Sequence, residues 1–278
     1  MKVIEMEERY LGADIGDISQ LTANRAPDLM DTYCNFTFDY FLGESELCDI
    51  RSQRMTLRAR LLSATESDVA TILAEAPSHR FEKLLSINKG RTIEYTLKTP
   101  AAFGSKQEIV SINEIAAFFG RSKNIHTAQE LVVLFREQNL CIFGAMLTER
   151  TAWACENIDD STELTVTRDR SRCQHQITSQ ETGRDIVEIE ALVHVDAEDN
   201  EAQMLEQVEK KLADWTEKKL GTLPTNVIGS TMVCIANHTP HIARTLFQKG
   251  SFSKKRLAEM VRMHELSEAR YLEIITPA

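Results

Sequence analysis

Six short segments alternate apolar and polar residues with period two, the pattern of a β-strand with one apolar and one polar face. In 3–10, Glu5, Glu7 and Arg9 oppose Ile4 and Met6. In 56–61, Thr56, Arg58 and Arg60 oppose Leu57, Ala59 and Leu61. In 93–98, Glu94, Thr96 and Lys98 oppose Ile93, Tyr95 and Leu97. Lys106 and Glu108 share a face in 106–110. In 164–169, Thr165, Thr167 and Asp169 oppose Leu164 and Val166, and in 187–191 Glu188 and Glu190 oppose Val187, Ile189 and Ala191. Helical spacing lies between and after these strands. Thr65 and Asp68 have capping-box spacing ahead of Val69, Ile72 and Leu73, which predicts a helix over 65–76, stopped by Pro77. Further helices are expected over 112–119, ended by Gly120, and over 127–138, with Leu131, Leu134 and Phe135 on one side. The clearest covers 201–220, where Met204, Val208, Leu212 and Trp215 recur at helical spacing before Gly221. After Pro224 an apolar run, 227–236, leads into a loop holding His238, Pro240 and His241, then into a basic amphipathic helix over 253–271.

Alternation alone describes an ordinary sheet with its polar face in water. The charges change the picture. They come in like-signed clusters, Glu-x-Glu twice and Arg-x-Arg once. Neighbouring like charges repel and add nothing to fold stability. Carboxylates two apart on a strand point the same way and can grip a hard cation through oxygen. Arginines two apart can fork onto phosphate oxygens. Opposite signs meeting in one cavity lower the electrostatic cost of each cluster.

The chain has 278 residues, 42% hydrophobic and 27% charged, with a formal net charge of −10. That supports one sizeable core, or a core plus a smaller appendage, and it argues against a binder that relies on a general basic surface. The six cysteines, at 34, 48, 141, 155, 173 and 234, have neither metal-finger nor redox spacing. They are expected as reduced thiols in a reducing compartment. The first residues carry no apolar run, and no stretch approaches the roughly 18 apolar residues of a membrane span. A cytoplasmic protein is expected.

The order of the motifs is more specific than any one of them. Glu5-Met6-Glu7-Glu8-Arg9 resembles the N-terminal Glu-x-Glu-x-Lys signature of the CYTH, or triphosphate tunnel metalloenzyme, superfamily, with arginine in the lysine position. Asp31-Thr32-Tyr33, Met55 to Arg60, Tyr95 to Pro100, Lys106-Gln107-Glu108, Leu164 to Asp169 and Val187 to Glu190 resemble its later strands in the right order. The resemblance covers 1 to about 220. Where the family often has Lys-x-Arg on a middle strand, this chain has Thr148-Glu149-Arg150, so one cation is missing. The family's C-terminal lysine corresponds to Lys254 or Lys255.

The resemblance implies an α+β fold: a closed eight-stranded antiparallel β-barrel, or tunnel, with helices packed outside and a helical C-terminal tail. A tunnel domain over 1–224 and a partly helical extension over 225–278 are expected, the extension being either an appended helical element or a closure of the barrel end. The implied cofactor is Mg²⁺ or Mn²⁺, held by Glu5, Glu7, Glu188 and Glu190 with Asp169 assisting. Arg9, Arg58, Arg60, Lys98, Lys106 and Arg150 would bind the phosphate chain. Glu5, Glu7 and Glu108 are the candidate catalytic carboxylates, Glu108 as a water-orienting or arginine-orienting group. The implied activity is hydrolysis of a triphosphate, whether inorganic, nucleoside or thiamine. A class IV-type adenylyl cyclase and a non-catalytic nucleotide or polyphosphate binder are the alternatives. A small-molecule triphosphate or polyphosphate is the expected partner, with nucleic acid engaged only through a 5′-triphosphate end and no membrane contact. A barrel for apolar ligands is disfavoured by the charged faces. His238 and His241 are taken as loop residues rather than metal ligands, Trp153 and Trp215 as core.

Overall fold

The computed structural model describes residues 2–42, 45–88, 90–101, 105–120, 125–155, 162–175, 183–195, 200–221 and 227–276. Nine strands form within them: β1 (Lys2–Leu11), β2 (Leu29–Leu42), β3 (Ser45–Glu46), β4 (Thr56–Leu62), β5 (Ile93–Pro100), β6 (Lys106–Ile109), β7 (Leu140–Ala154), β8 (Thr162–His175) and β9 (Gly183–Val195). Eight of them pair in the order β2-β4-β5-β6-β1-β9-β8-β7, all antiparallel, and β7 pairs back onto β2. The sheet is thereby a closed eight-stranded barrel, and closure removes the sheet edges. The two-residue β3 hangs on the end of β2.

The ladder registers fix which residues share the inside. Glu7 lies opposite Glu190, Arg9 opposite Glu188, Thr167 opposite Glu188, and Arg150 opposite Asp169. Arg58 lies opposite Thr37 and Thr96, and Lys98 opposite Glu108. Residues of the other parity face out and are covered by helices. One outer core joins Phe36, Phe38, Leu57, Leu61 and Leu97 of the strands to the helices. The helices there are α4 (Glu66–Leu73), α5 (Arg80–Ile87), α6 (Ile112–Phe118) and α7 (Ala128–Glu137), which follow three one-turn helices, α1 (Gly12–Ile15), α2 (Ser19–Thr22) and α3 (Asp49–Ser52). The capping boxes at Thr65 and Thr127 are both formed, each worth about 0.5–2 kcal/mol. Helix α8 (Glu201–Leu220) lays Leu205, Val208 and Leu212 over Ile4, Val187, Ile189 and Val193 in a second outer core. Trp153 belongs to that core, with Trp215 packed at its margin.

The tail is more helical than its sequence suggests. Residues 230–248 are two helices, α9 (Ser230–His238) and α10 (Pro240–Gln248), rather than an apolar run and a loop. The single helix expected over 253–271 is two, α11 (Lys254–Arg262) and α12 (Glu268–Ile275). The break falls at His264, whose φ is 60°, a value few non-glycine residues adopt. These helices form a third core with Phe41, Cys141 and Phe143, which lie on the inward side of β2 and β7, opposite Phe38 and Ile142 of the outer core. Leu246, Leu257 and Met260 are fully buried there, about 1.5–3 kcal/mol each. Further ties run to β1, where Val227 N–H donates to Arg9 C=O at 2.8 Å, and to the segment before β4, where Ser251 donates to Arg51 and Ser52 carbonyls at 3.2 and 2.9 Å.

The cysteine expectation is corrected in one respect. Cys173 on β8 and Cys234 on α9 form a disulfide, with their Cα atoms 6.2 Å apart. Cys34, Cys48, Cys141 and Cys155 are free thiols. No helix among the described residues is long and apolar enough to cross a membrane.

Candidate functional site

Period-two alternation on β1 puts Glu5, Glu7 and Arg9 into the lumen, and β9 delivers Glu188 and Glu190 beside them. Carboxylate oxygens of Glu5, Glu7 and Glu190 come within 4.8 Å of one another. The Glu5 side chain is 4% exposed, and its Oε1 has no hydrogen-bond partner. Its Oε2 meets the Lys98 ammonium, which also lies 2.9 Å from Glu108 Oε1. Three crowded carboxylates with an orphaned buried oxygen fit the donor set of a hard divalent cation.

The other two sequence-predicted metal ligands are engaged by arginine. Arg150 donates Nε to Asp169 Oδ1 and Nη2 to Asp169 Oδ2, each at 2.7 Å. The same Nη2 reaches Glu188 Oε2 at 3.0 Å and lies 3.5 Å from Glu190 Oε1. Glu188 Oε1 accepts from Arg9 Nε at 2.7 Å, and Arg9 also pairs with Glu7. Glu188 and Asp169 thus hold arginines in place beside the three-carboxylate group.

Burial and these partners split the carboxyl pKa values. Burial disfavours the charge of Glu190 and pushes its carboxyl up to about 8, with Arg150 opposing and Glu188 and Glu5 reinforcing. Burial raises Glu7 as well, against the pull of Arg9. For Glu188, burial is outweighed by Arg9 and Arg150, which bring it down to about 2. For Glu5, burial is outweighed by Lys98, and the carboxyl falls below the usual range. Carboxyls driven apart in this way within one cavity mark a functional site more often than a structural one.

The cations line the rest of the lumen. Arg58 Nη2 is 3.9 Å from Glu108, and Lys106 Nζ is 3.9 Å from Glu7. Arg60 stacks on the Tyr33 ring at 4.3 Å from its centroid, donates to Asn35 Oδ1 at 3.2 Å and lies 3.6 Å from Glu94. Burial depresses the pKa of Arg60, with the neighbouring Arg58 charge adding to the effect. All six sequence-predicted phosphate-binding cations therefore sit on the inward face, and Glu108 orients two of them.

Thr148 is fully buried and shares a 3.0 Å hydrogen bond with Ser171. The residue opposite Ser171 on β9 is Arg184, which sequence reasoning overlooked. It has the parity of Glu188 and Glu190, and that was the available signal. Its guanidinium is engaged by the tail: Nε bonds Glu265 Oε1 at 2.8 Å, and Nη1 bonds Ile228 C=O and Ser230 Oγ. Lys254 and Lys255 are exposed at the start of α11.

No protein-family model and no curated protein matches the chain. Several solved structures align with it over most of its length. A Hippeastrum protein studied as a candidate adenylyl cyclase, with dominant triphosphatase activity, gives a TM-score of 0.45 at 13% identity, covering 84% of this chain and 94% of that one. The Mimivirus capping enzyme triphosphatase gives 0.42 at 12% identity, covering 77% and 90%. A Pyrococcus horikoshii protein gives 0.41 at 12% identity, covering 77% and 89%.

Proposed function

We propose that the protein is a divalent-metal-dependent hydrolase of triphosphates, with the barrel lumen as its active site. The observation that carries this is the three-carboxylate group of Glu5, Glu7 and Glu190, one oxygen of which is buried without a partner, surrounded by inward-facing arginines and lysines. Glu5, Glu7 and Glu190 are the residues that would hold Mg²⁺ or Mn²⁺, which when bound withdraws charge from a phosphoryl oxygen as a Lewis acid.

The chain's own groups do the rest. Arg9, Arg58, Arg60, Lys98, Lys106 and Arg150 supply the hydrogen bonds and positive charge that stabilise the equatorial oxygens of the transferring phosphoryl group. Glu108, 2.9 Å from Lys98, keeps that ammonium aimed into the lumen. Glu7, beside Arg9 and Lys106 in the same carboxylate group, is placed to orient an attacking water. Most lumen cations already face carboxylates, so a triphosphate entering alone would leave excess negative charge in the lumen. Metal and triphosphate therefore enter most favourably together.

A second reading, a non-catalytic binder, is favoured by one observation: the Thr148–Ser171 hydroxyl pair stands where a further cation would assist turnover. Incubation with tripolyphosphate, ATP and thiamine triphosphate, with Mg²⁺ or Mn²⁺, separates the readings. Metal-dependent phosphate release supports hydrolysis, cyclic AMP with pyrophosphate would indicate a cyclase, and tight binding without turnover a binder.

A further inference from the structure

The C-terminal helices meet the tunnel around a cavity of about 360 Å³. Its tunnel wall is Met146, Ser171 and Arg184. All three have the parity of the lumen charges, since Ser171 lies opposite Thr148 and Arg184, and Met146 opposite Asn35. The tail contributes Val233, Asn237 and Glu265 to the other wall. The Cys173–Cys234 disulfide ties the two walls together, and both cysteines border the cavity. Asn237 donates to Val233 and Glu265 carbonyls at 3.0 and 2.8 Å, which fixes the Glu265 backbone against α9.

Glu265 is the group the fold leaves incomplete. Its side chain is 9% exposed, Oε1 is taken by Arg184, and Oε2 is buried with no partner. Such an orphaned acceptor costs about 1–3 kcal/mol, which a donor on a ligand would recover. The cavity's barrel wall also lies on the same inner strand faces as the charged tunnel residues. Arg184 and Glu190 share the inner face of β9 six residues apart, about 20 Å of strand, with Glu188 between them. That is further than three linked phosphates reach, so a triphosphate at the glutamates leaves the cavity for whatever is attached to it. The tail comes close to that path, since a Cβ on Gly229 would lie 3.7 Å from the Arg9 guanidinium.

We propose that this cavity receives the organic group of an organic triphosphate whose phosphate chain lies along the tunnel, a group that carries hydrogen-bond donors, as a nucleoside does. The volume is within the about 300–1,000 Å³ of small-molecule sites. The assignment rests on the triphosphate reading of the lumen and narrows its substrate class from any triphosphate to an organic one.

Calorimetric titration of the full chain with ATP and with tripolyphosphate, each with Mn²⁺, tests it. The wild type should bind ATP at least tenfold more tightly than tripolyphosphate. Val233→Trp, which fills the cavity, should lower the ATP-to-tripolyphosphate affinity ratio tenfold or more. If circular dichroism shows that Val233→Trp does not fold, Glu265→Gln, close to isosteric, should lower the same ratio. Equal wild-type affinity for the two ligands, or an unchanged ratio in the folded variant, would overturn the cavity assignment alone. Binding of neither ligand would overturn the triphosphate reading beneath it.

Discussion

Arg150 grips Asp169 through two parallel 2.7 Å hydrogen bonds, and the two residues are direct cross-strand neighbours on β7 and β8. A bidentate pair of this kind adds geometry as well as charge, because the guanidinium plane is fixed by its partner. Here the fixed plane also reaches Glu188 and Glu190, so one arginine organises three carboxylates on two strands.

Removing that arginine should leave Asp169 and Glu190 without the guanidinium that joins them, while Arg9 stays on Glu188. Arg150→Ala is expected to destabilise the protein by about 3–5 kcal/mol in urea denaturation, the range for breaking a buried pair from one side. Adding Asp169→Asn should recover part of that loss. Arg150→Lys should keep more stability than Arg150→Ala yet weaken triphosphate binding, since an ammonium cannot fork onto two oxygens.

Glu190 gives the apoprotein a specific pH dependence. Burial lifts its folded pKa to about 8, well above the 4.5 of an ordinary glutamate. A raised carboxyl favours folding while both states are protonated, and that advantage is lost as pH rises from about 4.5 through 8. Metal-free protein should therefore lose stability across this window, and Glu190→Gln should flatten the loss, as measured by urea midpoints at successive pH values. Mn²⁺ binding should displace the proton, so that proton release is measurable by calorimetry in buffers of different ionisation enthalpy and affinity rises with pH up to about 8.

The disulfide closes a separation of 61 residues between a barrel strand and the tail. Its loss should cost about 2–4 kcal/mol. Cys173→Ser and Cys234→Ser should each lower the thermal midpoint, and the double variant should fall no further than either single one. Mass spectrometry of the unreduced protein should find two fewer hydrogens than after reduction.

Much of the barrel is legible in the sequence because charge and apolar residues alternate wherever one strand face meets helices and the other meets the lumen. β1, β4, β5, β8 and β9 show this plainly. β7 does not, for a physical reason: near its start, Leu140 and Ile142 pack outward under the helices, while Cys141 and Phe143 pack inward against the tail. With both faces buried, the period disappears. The carboxylates and cations of the lumen follow from the same parity, but their division of labour does not. That Glu188 and Asp169 hold arginines, while Glu5, Glu7 and Glu190 crowd together, depends on side-chain partners from five strands. The role of Arg184 was hidden because its partner, Glu265, lies 81 residues away in the C-terminal segment. The Cys173–Cys234 pairing was hidden for a related reason, since nothing local marks two cysteines so far apart.

Turnover of a triphosphate through the Glu5, Glu7 and Glu190 group is open to direct assay. The most direct measurement is phosphate release from ATP and tripolyphosphate by the full chain with Mn²⁺, with EDTA, and in the folded variants Glu5→Ala and Glu190→Ala. The account predicts release with Mn²⁺, none with EDTA, and a loss of at least a hundredfold in both variants. Release that persists in EDTA, or that is unchanged in both variants, would contradict it.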